Sequence, residues 1–229
     1  MCFNRVVDWE IDRRNPRTNE RHTLMSRVGA IALLIVSAAG FIVAAWRINS
    51  LCFAFSPVAL VIVFFYSLTK RFTSFSHFFL GLALSVSPVG AWLAVRGHFE
   101  LPPLILALAV LFWVAGFDMI YAMLDETFDR ASGLHSWVVA HGVHGAQHWA
   151  MGLHAATVAA LAWFGVSTHS GLAYWVGLLI VAGALVHEHR VAARRDVAAV
   201  NQAFFQVNAV VGFVFAASIF ADQVLFRPG

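Results

Sequence analysis

The feature that most limits how this chain can fold is a series of long apolar stretches that contain almost no charged side chains. A helix that crosses a bilayer needs about 20 mostly apolar residues, because the hydrocarbon layer is about 30 Å thick and each residue adds about 1.5 Å. Seven such stretches predict spanning helices near residues 28–46, 48–66, 78–95, 101–121, 148–164, 172–186 and 200–221. Only 12% of the 229 residues are charged. We therefore predict one all-α integral-membrane domain over residues 1–229, a polytopic helical bundle with a short extra helix at its start.

The basic residues predict the orientation of this bundle. If the N-terminal segment is cytoplasmic and the crossings alternate, 15 Lys and Arg residues divide so that only Arg47, Arg96 and Arg227 lie on the outer side. Cytoplasmic loops of membrane proteins carry such an excess of positive charge. The net charge of +3 is therefore explained by membrane orientation, and nothing favours nucleic-acid binding. We predict that Cys2 and Cys52 are free thiols, and that the chain has no cleavable signal peptide.

A polar segment before the first span carries acids at regular intervals. If residues 4–12 are helical, Asn4, Asp8 and Asp12 lie on one face. Carboxylates at this spacing repel each other unless a cation lies between them. Mg2+ is a suitable cation, because it takes oxygen ligands and usually shares its shell with a substrate phosphate. A solvated helix end whose acids pair with neighbouring arginines, namely Arg13, Arg14 or Arg17, explains the same spacing, and the segment alone does not separate the two interpretations.

A second acidic face follows at the end of the fourth predicted span. Asp118, Tyr121, Asp125 and Asp129 are separated by steps of three, four and four residues, so one helix would present them together. Asp118 and Asp125 fall close to hydrocarbon depth, where a carboxylate is costly and usually marks a functional site. One alternative is a non-enzymatic carrier in which Asp118 binds an ion.

Both acidic segments resemble the aspartate-rich motifs of the UbiA-type intramembrane prenyltransferases. The first reads Asn4-Arg5-x-x-Asp8-x-x-x-Asp12-x-x-Asn15-Pro16-Arg17-Thr18-x-x-Arg21, and the second reads Asp118-x-x-Tyr121-x-x-x-Asp125-x-x-x-Asp129. Between them, Tyr66-x-x-x-Lys70-Arg71 is similar to the family's short basic motif, with Ser67 in place of the usual proline. The segment from His187 to Asn208 resembles the 4-hydroxybenzoate polyprenyltransferase branch. Family members have nine spanning helices, so we expect this chain to lack the first and most of the second.

The resemblance implies an activity and assigns roles to particular residues. It implies Mg2+-dependent transfer of a polyprenyl group from a polyprenyl diphosphate to an aromatic acid such as 4-hydroxybenzoate. Such an enzyme would serve ubiquinone or menaquinone biosynthesis in a bacterial inner membrane, with its active-site loops cytoplasmic. The implied metal ligands are Asn4, Asp8, Asp12, Asp125 and Asp129, and these four aspartates with Lys70 are the implied catalytic residues. The implied substrate-binding residues are Arg5, Arg17, Arg21, Tyr66, Arg71, Asp118, Tyr121, Ser136 and Asn208.

The histidines suggest a different class of enzyme. His141, His144 and His148 are separated by steps of three and four, and further histidines lie nearby in sequence or on the same side, at 135, 154, 187 and 189. Histidine clusters in membranes can hold iron, as in desaturase-like and hydroxylase-like proteins. Imidazoles at headgroup level would produce the same pattern, and an iron site explains neither the acidic faces nor the basic motif.

Overall fold

The computed structural model describes residues 2–15, 25–194 and 197–226, and within these ranges it consists of helices joined by turns. In chain order the helices are α1 Cys2–Val7, α2 Trp9–Arg14, α3 Arg27–Ile48, α4 Ser50–Thr69, α5 Ser76–Arg96, α6 Leu101–Ala122, α7 Glu126–Ala131, α8 Trp137–Ser167, α9 Leu172–Ala192 and α10 Val197–Phe226.

Seven of these helices, α3 to α6 and α8 to α10, are long and apolar enough to cross a membrane. The predicted all-α membrane bundle is therefore confirmed. The largest difference from the sequence-based boundaries is at α8, which begins at Trp137 rather than near residue 148. Its first turns contain His141, Gln147 and other polar residues that lower the local hydropathy, and Gly142 (φ 73°, ψ 169°) interrupts the helix there.

The bundle is arranged around α6. Consecutive long helices pack against each other from α3 to α6, then α6 packs against α8, α8 against α9, and α9 against α10. The last helix, α10, also returns to contact α6, and the short α1 packs between α3 and α4. Because the connections between successive long helices are short, neighbours run antiparallel. The turn between α4 and α5, the short helix α7 and the N-terminal helices therefore lie at one end of the bundle, which we call the acidic end.

Two buried apolar clusters hold the helices together. One lies among α8, α9 and α10 and includes Leu161, Tyr174 and Val211, while the other lies mainly between α6 and α8 and includes Met119 and Val138. The outer faces of α3 and α10 expose valine, isoleucine and phenylalanine side chains, as expected where helices contact lipid.

Helices α5 and α6 approach closely at a glycine. A Cβ atom added to Gly81 would clash with the backbone oxygen of Leu111. Small residues allow membrane helices to approach in this way. Because lipid tails are as apolar as the side chains, such helices associate through van der Waals packing instead of the hydrophobic effect. This contact lies near the middle of α6, about two turns before Asp118.

Candidate active site

The first acidic segment forms two short helices that meet at Asp8. Asp8 has φ −89° and ψ 10° and separates α1 from α2, so the single continuous helix expected over residues 4–12 is wrong. The four-residue spacing is nevertheless preserved, because the Asp8 N–H donates to the Asn4 carbonyl and the Asp12 N–H donates to the Asp8 carbonyl, each at 2.8 Å.

Asp8 is completely buried and lies against two cations. The Lys70 Nζ is 2.6 Å from one carboxylate oxygen of Asp8, and Nη2 of Arg71 is 3.3 Å from the other. Arg71 also donates to the Val7 carbonyl at 2.8 Å. A buried carboxylate is stable in its charged form only with such partners. The cations come from the turn after α4, whereas the neighbouring Arg13 lies against Glu10.

The second acidic face is divided between two helices. Helix α6 carries Asp118 and Tyr121 and ends at Ala122, while Asp125 precedes α7 and Asp129 lies within it. The expected single helix over residues 118–129 is therefore wrong. The N–H groups of residues 123–125 bond to carbonyls three residues earlier instead of four, which tightens the chain and ends α6.

Two hydrogen bonds join these segments into one site. The buried Asn15 side chain donates from Nδ2 to Oδ1 of Asp125 at 3.2 Å, which links the first acidic segment to the second. The His135 N–H donates to the Lys70 carbonyl at 2.7 Å, which joins the basic turn to the loop after α7. Asn15 belongs to the first sequence motif, but we did not predict it as a site residue; its position in that motif was the available signal.

A histidine that the sequence did not indicate lies beside Asp118. His77, 3% exposed, comes from the first turn of α5, and its Nδ1 is 2.6 Å from Oδ2 of Asp118. The N–H of Trp137, the first residue of α8, points at Nε2 of the same ring at 3.4 Å. The side chain of Tyr66 lies near Asn4, Asp8 and Asp118, between the two acidic segments.

An aromatic row continues from the site into the bundle. It consists of Trp113, Phe117 and Tyr121 on α6 and Phe204 on α10. Phe204 has its ring centroid 4.3 Å from that of Tyr121 and 5.3 Å from that of Phe117, and Trp113 lies 5.7 Å from Phe117. Aromatic faces attract cations, so this row could stabilise positive charge next to Asp118.

The remaining predicted residues lie around this centre. Asn208, one turn beyond Phe204, donates to the Phe204 carbonyl at 2.7 Å, and within the described chain its buried Oδ1 has no hydrogen-bond partner. Ser136 caps α8 by accepting a hydrogen bond from the Val139 N–H at 3.1 Å. Arg5 is half-buried at the end of α1. Arg17 and Arg21 lie outside the described residues.

The donor set of the site fits Mg2+ in its chemistry. Asn4, Asp8, Asp12, Asp125 and Asp129 offer only amide and carboxylate oxygens, which are the ligands that this ion prefers. In the described ranges no three His, Cys, Asp or Glu side chains are gathered closely enough to form a metal site. At Asp8 the counter-charge comes from Lys70 and Arg71.

Two of the histidines considered above as iron ligands, His154 and His189, form a close pair, in which Nδ1 of His154 is 3.0 Å from Nε2 of His189.

The chain belongs to the UbiA prenyltransferase family, whose family model matches residues 1–217. It is an integral-membrane prenyltransferase, as the sequence motifs predicted.

Particular relatives share both sequence and fold with it. The 4-hydroxybenzoate octaprenyltransferase of Cupriavidus necator is 30% identical over 228 residues, covering 97% of this chain and 79% of the relative. The enzyme of the same name from Nitrosospira multiformis is 29% identical, covering 93% of this chain and 74% of its own. The apo structure of a UbiA homologue from Aeropyrum pernix K1 superimposes with a TM-score of 0.89 at 30% identity, covering 97% of this chain and 84% of that one. A digeranylgeranylglyceryl phosphate synthase shares the fold, with a TM-score of 0.69 at 17% identity over 98% of this chain and 80% of that one.

Proposed function

We propose that this protein transfers a polyprenyl group from a polyprenyl diphosphate to an aromatic acid, with 4-hydroxybenzoate as the first acceptor to test, in quinone biosynthesis. The observation that carries the proposal is the meeting of both acidic segments and the basic turn in one site, through the Asn15–Asp125 and Asp8–Lys70 contacts. A diphosphate bound with divalent ions requires such opposed carboxylates with cations beside them. The names of the relatives from Cupriavidus and Nitrosospira support the choice of acceptor.

The residues divide into metal ligands and phosphate ligands. Asn4, Asp8 and Asp12 on one side, and Asp125 and Asp129 on the other, would hold Mg2+. When bound, Mg2+ neutralises the charge that develops on the diphosphate as the carbon–oxygen bond breaks. The cations at Asp8 are partly exposed: 31% of the Lys70 side chain and 42% of the Arg71 side chain. Once Asp8 is neutralised by Mg2+, their charged groups can therefore turn toward phosphate oxygens. Arginine suits a two-point contact with phosphate, and lysine suits a single one.

The allylic cation that is left after ionisation must react with the aromatic ring before it reacts with water. The aromatic row below the acidic end offers π-faces to this cation, and its apolar surroundings limit hydrolysis. The isoprenoid tail would continue among the spanning helices. We also propose that the acidic end faces the cytoplasm across a bacterial inner membrane, because the basic residues concentrate there.

Substitution of one acid from each segment tests the metal clamp. Asp8→Ala and Asp125→Ala should each abolish transfer while the protein remains inserted, because each removes part of the cation site. Membranes carrying each variant are supplied with Mg2+, a polyprenyl diphosphate and a panel of aromatic acids, and prenylated product is quantified against the amount of inserted protein. Glu100→Gln, at the opposite end of the bundle, is the matched control and should retain activity. Normal product formation by either aspartate variant would contradict the clamp.

A further inference from the structure

Asp118 is the acid of the site that the proposed metal clamp does not use. It lies on α6 about 6 Å, or four residues of helix rise, inside Ala122, where the helix ends before Asp125. Its side chain is 27% exposed. One oxygen, Oδ2, contacts His77, and within the described residues Oδ1 forms no hydrogen bond. The carboxylate is therefore held on one side and open on the other.

The partners of His77 define which ring nitrogen carries the proton. The Trp137 N–H belongs to the first turn of α8, where backbone N–H groups have no acceptor within the helix. It donates to Nε2 of His77, so Nε2 carries no hydrogen. The proton of the neutral ring is therefore on Nδ1, which donates to Oδ2 of Asp118. His77 therefore donates from Nδ1 to the Asp118 side chain, and its Nε2 accepts from the backbone.

An aromatic prenylation needs a base at this depth. The carbon that leaves the diphosphate bonds to a ring carbon, and that ring carbon must then lose its hydrogen as a proton to restore aromaticity. The proposed clamp would hold the diphosphate at the level of Asp8 and Asp125, so the reacting carbon and the ring would lie further into the bundle. Asp118 and the aromatic residues Phe117 and Tyr121 share the last turns of α6, and the Tyr66 side chain is hydrogen-bonded to Asn4 and lies near Asp118.

We propose that Asp118 accepts the ring proton during prenyl transfer, and that His77 is the residue that positions it; this inference rests on the function proposed above. The step balances without another reactant. The allylic carbon–oxygen bond breaks and its electron pair leaves with diphosphate, a ring π pair forms the new carbon–carbon bond, and the ring C–H pair returns to the ring. The proton passes to Oδ1 of Asp118 and is released to solvent as product departs.

Asp118→Asn tests the assignment, because the amide preserves the shape but cannot accept the proton. Two quantities are measured in membranes supplied with Mg2+, a polyprenyl diphosphate and 4-hydroxybenzoate: diphosphate released and prenylated ring formed. Without the base, the new carbon–carbon bond breaks again and water captures the cation as polyprenol. We expect the ratio of ring product to released diphosphate to fall by about 100-fold or more, the usual scale for loss of a general base. With 4-hydroxybenzoate deuterated at the reacting positions, the variant alone should show a primary isotope effect.

His77 is tested by two variants that differ only in hydrogen bonding. His77→Gln can donate to Asp118 through its amide N–H and accept from the Trp137 N–H through its amide oxygen, so it should retain most of the ratio of ring product to diphosphate. His77→Ala offers neither group and should lower that ratio toward the value of Asp118→Asn. Combining His77→Ala with Asp118→Asn should lower it no further, because coupled residues are non-additive.

The outcomes separate this inference from the proposed function. If Asp118→Asn lowers diphosphate release and ring product in parallel, or changes neither, Asp118 is not the base and the inference fails alone. Equal ratios for His77→Gln and His77→Ala would remove the positioning role of His77. If the wild-type protein releases no diphosphate with Mg2+, or releases it but prenylates no aromatic acid, the proposed function is wrong and the proton assignment falls with it.

Discussion

At the level of single residues, the need of Asp8 for a positive partner was predictable, but the identity of that partner was not. The spacing of Asn4, Asp8 and Asp12 predicted a positive partner at this face, and two cations lie against Asp8. It suggested either Mg2+ or arginines of the same segment, whereas the described structure brings Lys70 and Arg71 from 62 and 63 residues away. That pairing depends on how α1 packs against α4, which no local pattern contains. His77 escaped prediction for the same reason, because its partner Asp118 is 41 residues distant.

Removal of the Lys70 charge tests the dual role that we propose for it, at Asp8 and at the diphosphate. We expect Lys70→Met to lower prenyl transfer by about 100- to 1,000-fold, the range seen when one donor to a developing negative charge is lost. Loss of one partner from a fully buried ion pair costs about 3–5 kcal/mol, and the cost here should be smaller because Arg71 remains and Lys70 is partly exposed. Product formation and thermal unfolding in detergent are measured side by side.

Lys70→Arg is the control for this variant, because it keeps the charge and changes its geometry. It should unfold at nearly the wild-type temperature and recover part of the activity. Wild-type transfer rates in Lys70→Met would show that Arg71 alone serves both Asp8 and the substrate.

At the level of helices, the spans were predictable and their interruptions were not. Stretches of about 20 apolar residues identify membrane helices with little help from tertiary structure. The breaks at Asp8, at residues 123–125 and at Gly142 arise from a few backbone hydrogen bonds and dihedral angles. Because residues 118–129 are spaced regularly for a helix, the sequence predicted one face where the chain forms two helices. The break bears on the proposed site, because Asp125, which accepts a hydrogen bond from Asn15, lies beyond the end of α6.

The close contact between α5 and α6 predicts a sharp difference between two glycines of one helix. Gly81→Ala would place a methyl group against the Leu111 backbone oxygen, whereas Gly90→Ala meets no atom within 4 Å. We expect Gly81→Ala to lose about 1–3 kcal/mol of stability through overpacking. It should also impair transfer, because His77 lies one turn before Gly81 and would move away from Asp118. Gly90→Ala should resemble the wild type in both thermal unfolding and activity, and equal behaviour of the two variants would contradict the close contact.

At the level of the whole molecule, an even number of membrane crossings separates three distant segments, and this brings them to the same end of the bundle. The N-terminal helices, the turn after α4 and the loop around α7 are far apart in sequence, yet hydrogen bonds connect them directly. Counting crossings predicted that these segments share a side, because each pair of spans returns the chain to where it began. The count could not supply the contacts themselves, which depend on the packing of α5, α6 and α8 around the site.

Thiol labelling in intact cells tests which side of the membrane carries the acidic end. In a background with Cys2→Ser and Cys52→Ser, single cysteines are introduced as Ser132→Cys, beside α7, and Ser50→Cys, at the opposite end; both serines are exposed. A maleimide that cannot cross the inner membrane should label Ser50→Cys in intact cells and Ser132→Cys only after lysis, because positive charge is retained on the inner side. The reverse pattern would overturn the proposed orientation.

The return of α4 to the end where α1 lies has a consequence for how the protein is made. The hairpin of α3 and α4 carries Lys70 back to Asp8, so this acid acquires its counter-ion once both helices have entered the bilayer. Asp118 is synthesised later. The His77 ring that contacts it gains its second hydrogen bond only when the first turn of α8 supplies the Trp137 N–H. During synthesis the half of the site that we propose binds the diphosphate would therefore form before the half that we propose accepts the ring proton. A nascent chain that stops short of α8 would hold the first half without an ordered base.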